Sequence, residues 1–149
     1  EFITEIKKLG YAVKLDTNGT FPEKLKDLVN SGLVDYVAMD IKNSKAKYKE
    51  TAGINNLDLS KIEESVDFLI NGNMDFEFRT TIVNEFHTVE DIQDIVVWIR
   101  GAHKYFLQNF VDSGDLIGQD LNPVTLETLR VMREKATEII PNVELRGIS

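Results

Sequence analysis

Short apolar runs alternate with stretches of helical periodicity along this chain, and this alternation restricts its fold more than any other feature. The runs Tyr11–Asp16, Val34–Ile41, Met74–Val83 and Tyr105–Val111 are predicted strands. Amphipathic stretches of helix length separate them, each bounded by Pro, Ser, Thr, Asn or Gly. Parallel strands need a crossover that is long enough to hold a helix. The alternation therefore predicts a single α/β domain over residues 1–149, with parallel strands.

Composition limits the partners and cofactors that the chain can serve. Its 149 residues include 25 acidic and 17 basic side chains, and the net charge of -8 argues against nucleic-acid binding. No run of about 18 apolar residues is present, so no membrane span is predicted and a cytoplasmic location is expected. With no cysteine and only two histidines, His87 and His103, the chain offers neither disulfides nor a thiolate or histidine-rich metal site.

Two of the predicted strands end in a carboxylate, and these ends are the first candidates for chemistry. One run closes with Lys14-Leu15-Asp16-Thr17-Asn18-Gly19 and the next with Val37-Ala38-Met39-Asp40-Ile41-Lys42. Parallel sheets and barrels bind their ligands at the carboxyl ends of the strands. Asp16, Asp40 and Lys42 are therefore expected to converge at one edge of the sheet.

The strand pattern also predicts one polar and one apolar face. Residues two apart on a strand share a face, so Lys14 lies with Asp16, and Glu77 with Arg79 and Thr81. The polar face then carries three cations and three anions, namely Lys14, Lys42, Arg79, Asp16, Asp40 and Glu77. Three explanations stay open: a salt-bridge network that neutralises itself, a polar interior that receives a zwitterionic ligand, or an open sheet whose polar face lies in water.

These motifs, taken in order, resemble a known family. Asp16-Thr17-Asn18-Gly19, then Met39-Asp40-Ile41-Lys42, then the strand with Arg79 and Thr81, is similar to the radical S-adenosylmethionine activating enzymes of glycyl-radical enzymes, including pyruvate formate-lyase. Tyr105–Phe110 and the ending Val143–Gly147 look most like the anaerobic ribonucleoside-triphosphate reductase activating proteins. The resemblance implies that the chain is the carboxyl-terminal part of a partial (β/α) TIM-like barrel.

The resemblance also implies a set of ligand contacts. Asp16, Asp40, Lys42 and Arg79 would hold the methionine carboxylate and the ribose of S-adenosylmethionine, while Thr81 and Leu107 would lie near the adenosine. A monovalent cation would bind between Asp16 and Asp40, helped by Thr17. No residue of this chain is expected to be catalytic by itself.

The family's Cys-x3-Cys-x2-Cys loop, which binds a 4Fe-4S cluster, is absent from this sequence. Together with the helical pattern that begins at Phe2 without a cap, this absence favours a chain cut from a longer protein. The parent would be an oxidoreductase that cleaves S-adenosylmethionine with an electron donor and activates a glycyl-radical enzyme such as anaerobic ribonucleotide reductase. The isolated fragment is expected to be inactive, and its exposed strand edges are expected to favour self-association.

Two other functions remain open from the residues. The chain could belong to a barrel aldolase or lyase in which Lys42 forms a Schiff base, with Asp16 or Asp40 as the proton shuttle. It could also be a noncatalytic interaction module whose polar face is only a salt-bridge network. His87 is interpreted as a loop histidine and His103 as a surface residue.

Overall fold

The computed structural model describes residues 2–111 and 120–147. Its strands are β1 (Lys14–Thr17), β2 (Tyr36–Asp40), β3 (Phe76–Ile82), β4 (Lys104–Asn109) and β5 (Asn142–Arg146). Its helices are α1 (Phe2–Lys8), α2 (Pro22–Asn30), α3 (Tyr48–Ala52, preceded by a 3-10 turn at Lys45–Lys47), α4 (Leu59–Asn71), α5 (Val89–Trp98) and α6 (Leu126–Thr137). The predicted glycine-containing loop with Asp112, Gly114 and Gly118 lies outside the described residues.

The strands form a single five-stranded sheet in the described part of the chain. Their spatial order is β1-β2-β3-β4-β5, and every neighbouring pair is parallel. This confirms the predicted α/β class with parallel strands. Strands that lie side by side in their sequence order are typical of a barrel. In an open doubly wound sheet, the strand order reverses at one point.

The helices cover only one face of the sheet. Val37, Met39, Phe78 and Tyr105 point to that face, and all four are completely buried in a core shared with the helices. On the opposite face, Asp16, Asp40 and Arg79 keep contact with solvent. The uncovered face is therefore the polar one that the sequence predicts.

The connection before α6 differs from the prediction at Asn122-Pro123. That pair was expected to begin the helix, but Thr125 is the cap, and its hydroxyl accepts from the amide of Thr128. Asn122 instead donates from its backbone and its side-chain amide to the carboxylate of Glu85, at 2.7 and 3.0 Å. These bonds hold the segment before α6 against the turn that follows β3.

The lysine-rich connection of residues 43–56 is more ordered than a solvated loop. Tyr48 opens α3 with its ring buried, and its hydroxyl donates to the backbone oxygen of Asp40 at 3.4 Å. Gly53 ends the helix at φ +73°, a left-handed conformation that glycine adopts without strain. In the described part of the chain, no helix is long and apolar enough to cross a membrane.

Candidate functional site

Five residues that the sequence singles out meet at the carboxyl ends of β1 to β3. They are called the rim here, and they are Asp16, Asp40, Lys42, Arg79 and Thr81. The register pairs Asp16 with Ala38 and Asp40 with Arg79, so the three strands present their polar side chains on the same face. The convergence of Asp16, Asp40, Lys42 and Arg79, on which the family assignment depended, is what the structure shows.

Arg79 is the centre of the rim. Its Nε donates to Asp40 Oδ1 at 2.7 Å, and its Nη1 lies 3.7 Å from Asp16 Oδ1. Lys42 Nζ lies 3.7 Å from the other oxygen of Asp40. Two cations and two carboxylates are thus linked in one chain of ion pairs that is neutral as a whole.

Burial and ion pairing act against each other at Arg79. Burial disfavours its charge, but the hydrogen bond that it donates to Asp40 and the charges of Asp40 and Asp16 outweigh that effect and raise the pKa of the guanidinium. The side chain therefore carries its positive charge at any physiological pH. A fixed cation at this point can bind an anionic ligand without a proton being taken up or released.

A cavity of about 280 Å³ opens beside the rim. Its lining includes the polar groups of Asp40, Lys42, Arg79 and Thr81. The lining also has apolar side chains, together with Thr51 and His87, and the apolar residues are Ile41, Val83, Phe86, Phe110 and Leu121. Small-molecule sites typically measure about 300 to 1,000 Å³, so this cavity takes part of a nucleoside-sized ligand rather than all of it.

Two predicted ligand contacts do not reach this site. Leu107 pairs with Thr80 and lies two residues after Tyr105, so its side chain points to the same, helix-covered face as Tyr105. It is fully buried in the core there. Thr17 follows Asp16 directly on β1, so its side chain points to the opposite face of the sheet. Its hydroxyl accepts from the amide of Gly19 at 3.1 Å. Leu107 is a core residue, and Thr17 stabilises the turn that ends β1.

The expected cation position between Asp16 and Asp40 is filled by a protein group. The Arg79 guanidinium lies between the two carboxylates and removes the repulsion that a bound cation would otherwise have to relieve. Among residues 2–111 and 120–147, no group of three or more acidic or histidine side chains could hold a metal ion. The donor geometry therefore offers no support for the predicted monovalent cation site.

The other half of the polar face holds a second group of charges, called the basal cluster: Tyr36, Glu77, Phe106 and Arg146. The Glu77 carboxylate is 3% exposed, accepts from the Tyr36 hydroxyl at 3.0 Å and lies 3.3 Å from Arg146 Nη1. The Arg146 guanidinium lies 3.6 Å from the centre of the Phe106 ring. Burial, with the Glu77 hydrogen bond, raises the pKa of Tyr36 to about 12. The salt-bridge explanation therefore fits this half of the face.

Sequence reasoning missed two buried polar residues beside the rim. His87 is 4% exposed, although its position before a helix suggested an open loop. Asn43 is fully buried, and its amide donates to Thr51 Oγ1 and to the Phe86 carbonyl, both at 2.9 Å.

A larger cavity, about 630 Å³, lies away from the strand ends. It is an open depression beside α4, and its lining includes Lys26, Glu63, Glu64, Asp67 and Phe68. Lys26 is already bound to Glu64 at 2.7 Å. The cavity at the rim is the better candidate site, because it lies at the carboxyl ends of the strands, where parallel sheets and barrels bind their ligands.

Two comparisons with known proteins found proteins similar to this chain, and no family model matches it. A protein of Methanocaldococcus jannaschii, provisionally named a glycyl-radical enzyme activating enzyme, is 33% identical over 149 residues. The match covers 96% of this chain and 62% of that protein, so the chain spans less than two thirds of its relative's length. The crystal structure of a domain of a pyruvate-formate lyase-activating enzyme from Bacteroides vulgatus has the same fold. It matches with a TM-score of 0.71 and 10% identity, over 98% of this chain and 88% of that one.

Proposed function

We propose that this chain belongs with the glycyl-radical enzyme activating enzymes that its motifs resemble, and that its rim holds S-adenosylmethionine. The observation that carries the proposal is the position of Arg79 and Lys42 in the lining of a cavity that also has apolar residues. The ligand has an amino acid end with both charges and a flat, weakly polar base, so it needs both kinds of surface.

The rim suits the amino acid end of such a ligand. Arg79 uses Nε for Asp40, and this is its one hydrogen bond within the described residues, so other guanidinium N–H groups remain for a carboxylate. Lys42 adds a point charge, while Asp16 and Asp40 can accept from an ammonium or from ribose hydroxyls. Because the rim is neutral as a whole, the zwitterionic amino acid end can enter without burying net charge there, while the sulfonium of S-adenosylmethionine brings one further positive charge.

The 4Fe-4S cluster cannot be held by this chain, because the sequence contains no cysteine. In such enzymes the reduced cluster and S-adenosylmethionine together supply the radical that activates a glycine. The part of these residues is to bind and orient the ligand and to keep water from its apolar end. We infer that the 149-residue chain by itself produces no 5′-deoxyadenosine from S-adenosylmethionine and dithionite, and detection of that product would contradict this.

Binding of S-adenosylhomocysteine, measured by calorimetry, tests the proposal without the radical chemistry. Lys42→Met should weaken binding about tenfold, because it removes one charge-assisted contact. Lys45→Met is the matched control, since Lys45 is 47% exposed against 45% for Lys42 and lies 3.6 Å from a carboxylate of its own, Glu63. Equal loss in both variants, or no binding by the unaltered chain, would contradict the proposed site.

The proposed partner is a glycyl-radical enzyme, with anaerobic ribonucleotide reductase the first to test, and an electron donor for the longer enzyme. We also propose that the chain self-associates through β1, an edge strand with one hydrogen-bonded neighbour. Sedimentation should then show a molecular mass that rises with concentration. A monomer at every concentration would refute self-association and leave the ligand site untouched.

The Schiff-base alternative has less support. Lysines that attack carbonyl groups are activated by burial or by a neighbouring cation. Lys42 is half-exposed, and the group beside it is the carboxylate of Asp40. Borohydride trapping of a carbonyl substrate on Lys42 would revive this alternative.

A further inference from the structure

We propose that His87 is a positioning residue, which fixes Lys42 at the rim by tying the exit of β2 to the exit of β3. The proposal rests on the proposed function in one respect: it takes Lys42 to be a ligand contact. The connection consists of two hydrogen bonds, one at each nitrogen of the buried His87 ring.

The hydrogen bonds determine the state of the ring. The Val83 amide donates to His87 Nδ1 at 3.0 Å, so Nδ1 carries no proton. His87 Nε2 lies 2.8 Å from the Lys42 carbonyl and must be the donor there. The neutral tautomer with its proton on Nε2 is the form that makes both bonds.

Asn43 strengthens the same connection from the adjoining residue. Its side-chain oxygen accepts from the Ser44 amide at 2.8 Å, and its amide group reaches the Phe86 carbonyl. Two successive residues after β2 are thus bound to the turn that follows β3. Within the described residues, no buried polar side-chain atom lacks a partner, so the connection is complete.

The consequence for ligand binding is a loss of freedom at Lys42. A lysine side chain has four rotatable bonds beyond its backbone, and a mobile backbone would add to the freedom that a ligand must remove. With its carbonyl fixed, the backbone of Lys42 adds no freedom to that of its side chain, which starts from a defined position beside Asp40. A fixed starting point raises affinity without adding a contact to the ligand.

Protonation of His87 would change one of the two bonds and keep the other. The charged ring carries hydrogen on both nitrogens, so Nδ1 would turn from the Val83 amide to the Val83 carbonyl, 3.3 Å away, while Nε2 still donates to Lys42. The charged groups that face the ring are Asp91 of α5, which favours the protonated form, and Lys47 of the 3-10 turn, which opposes it. Burial is the largest effect and lowers the pKa of His87 below its usual value, although both backbone contacts act in the other direction. The bond that positions Lys42 is therefore kept in both states of the ring, and protonation of His87 should not lower affinity.

Two substitutions separate the two bonds. His87→Gln places an amide nitrogen near Nε2, so it keeps the donor to Lys42 and loses the acceptor for Val83. His87→Asn places an oxygen near Nδ1 and no longer reaches Lys42. His103→Gln is the control, because that histidine is exposed. Affinity for S-adenosylhomocysteine is measured between neutral and acidic pH, together with the urea midpoint of each variant.

We expect His87→Asn to weaken binding about five- to tenfold, and His87→Gln to stay within about twofold of the unaltered chain. Both should be less stable than the control, since each loses one bond. The affinity of the unaltered chain should not decline through protonation of His87, since the bond to Lys42 persists. Equal affinity loss in both variants would mean that His87 contacts the ligand or acts only through stability, and either result overturns the proposal.

Hydrogen exchange distinguishes failure of this proposal from failure of the proposed function. If the unaltered chain does not bind S-adenosylhomocysteine, the proposed function fails and exchange alone decides the role of His87. His87→Asn should speed exchange of the Ser44 amide, and His87→Gln should speed exchange of the Val83 amide. Unchanged exchange at Ser44 in His87→Asn overturns the positioning role.

Discussion

Removal of Arg146 from the basal cluster should destabilise the protein, because Glu77 would keep its charge and lose its cation. Glu77 is almost fully buried, and Tyr36 would remain as its one hydrogen-bond donor within the described residues. Breaking a fully buried ion pair costs about 3–5 kcal/mol. Arg146 is 40% exposed, so water can replace part of its contact, and we expect Arg146→Met to cost about 1–3 kcal/mol. Methionine keeps an apolar stem over Phe106.

Urea denaturation at neutral pH measures this cost, and a double-mutant cycle assigns it. In Glu77→Gln the neutral amide no longer needs the cation but still accepts from Tyr36. The double variant should therefore recover about 1–2 kcal/mol relative to the sum of the single changes. If the two effects simply add, or if Arg146→Met unfolds at the same urea concentration as the unaltered chain, the basal cluster is not the structural element argued here.

Three further changes test other parts of the structure. Raising the pH above about 10 should destabilise the fold, because the pKa of Tyr36 is raised to about 12 in the folded state. The stabilisation that is present below about pH 10 is lost as the pH rises toward 12. Phenolate absorbance and urea midpoints measure this loss. Leu107→Ala should lower the free energy of unfolding by about 2–5 kcal/mol and leave the affinity for S-adenosylhomocysteine unchanged. A loss of affinity would show that Leu107 contacts the ligand, as the sequence predicts. Gly19→Ala should cost about 2–4 kcal/mol in the same assay, since Gly19 has φ +75° and a Cβ there would collide with the Met39 side chain; a neutral effect would contradict that reasoning.

The sequence predicts the polar face because alternation along a strand is a local property. Glu77, Arg79 and Thr81 lie between apolar residues, so their common face follows from their spacing. Leu107 offers less information, since Tyr105, Phe106 and Leu107 are all apolar and each face of the strand therefore carries at least one of them. Only the register with β3, in which Leu107 pairs with Thr80, decides the face.

The contacts within the rim are a matter of register between strands, which the sequence does not encode locally. Arg79 lies opposite Asp40 in the register and binds that residue, a contact that the spacing along its own strand does not give. Arg146 takes the place beside Glu77 from 69 positions further along the chain. The burial of His87 escapes a sequence reading for the same reason, since its partner Lys42 belongs to another strand end.

The division of the polar face bears on which function the charges serve. The basal cluster buries its carboxylate and supplies it with two donors, as expected for charges that stabilise the fold. The rim keeps Lys42 and Asp16 in contact with solvent and leaves guanidinium N–H groups of Arg79 outside its internal hydrogen bond. A network that served only stability would use those donors for hydrogen bonds within the protein, because an intramolecular hydrogen bond contributes net stability. The unsaturated donors therefore favour a ligand at the rim, and a crystal of the unaltered chain soaked with S-adenosylhomocysteine should show the ligand carboxylate on Arg79. A ligand bound in the depression beside α4 would show that this reasoning has chosen the wrong end of the molecule.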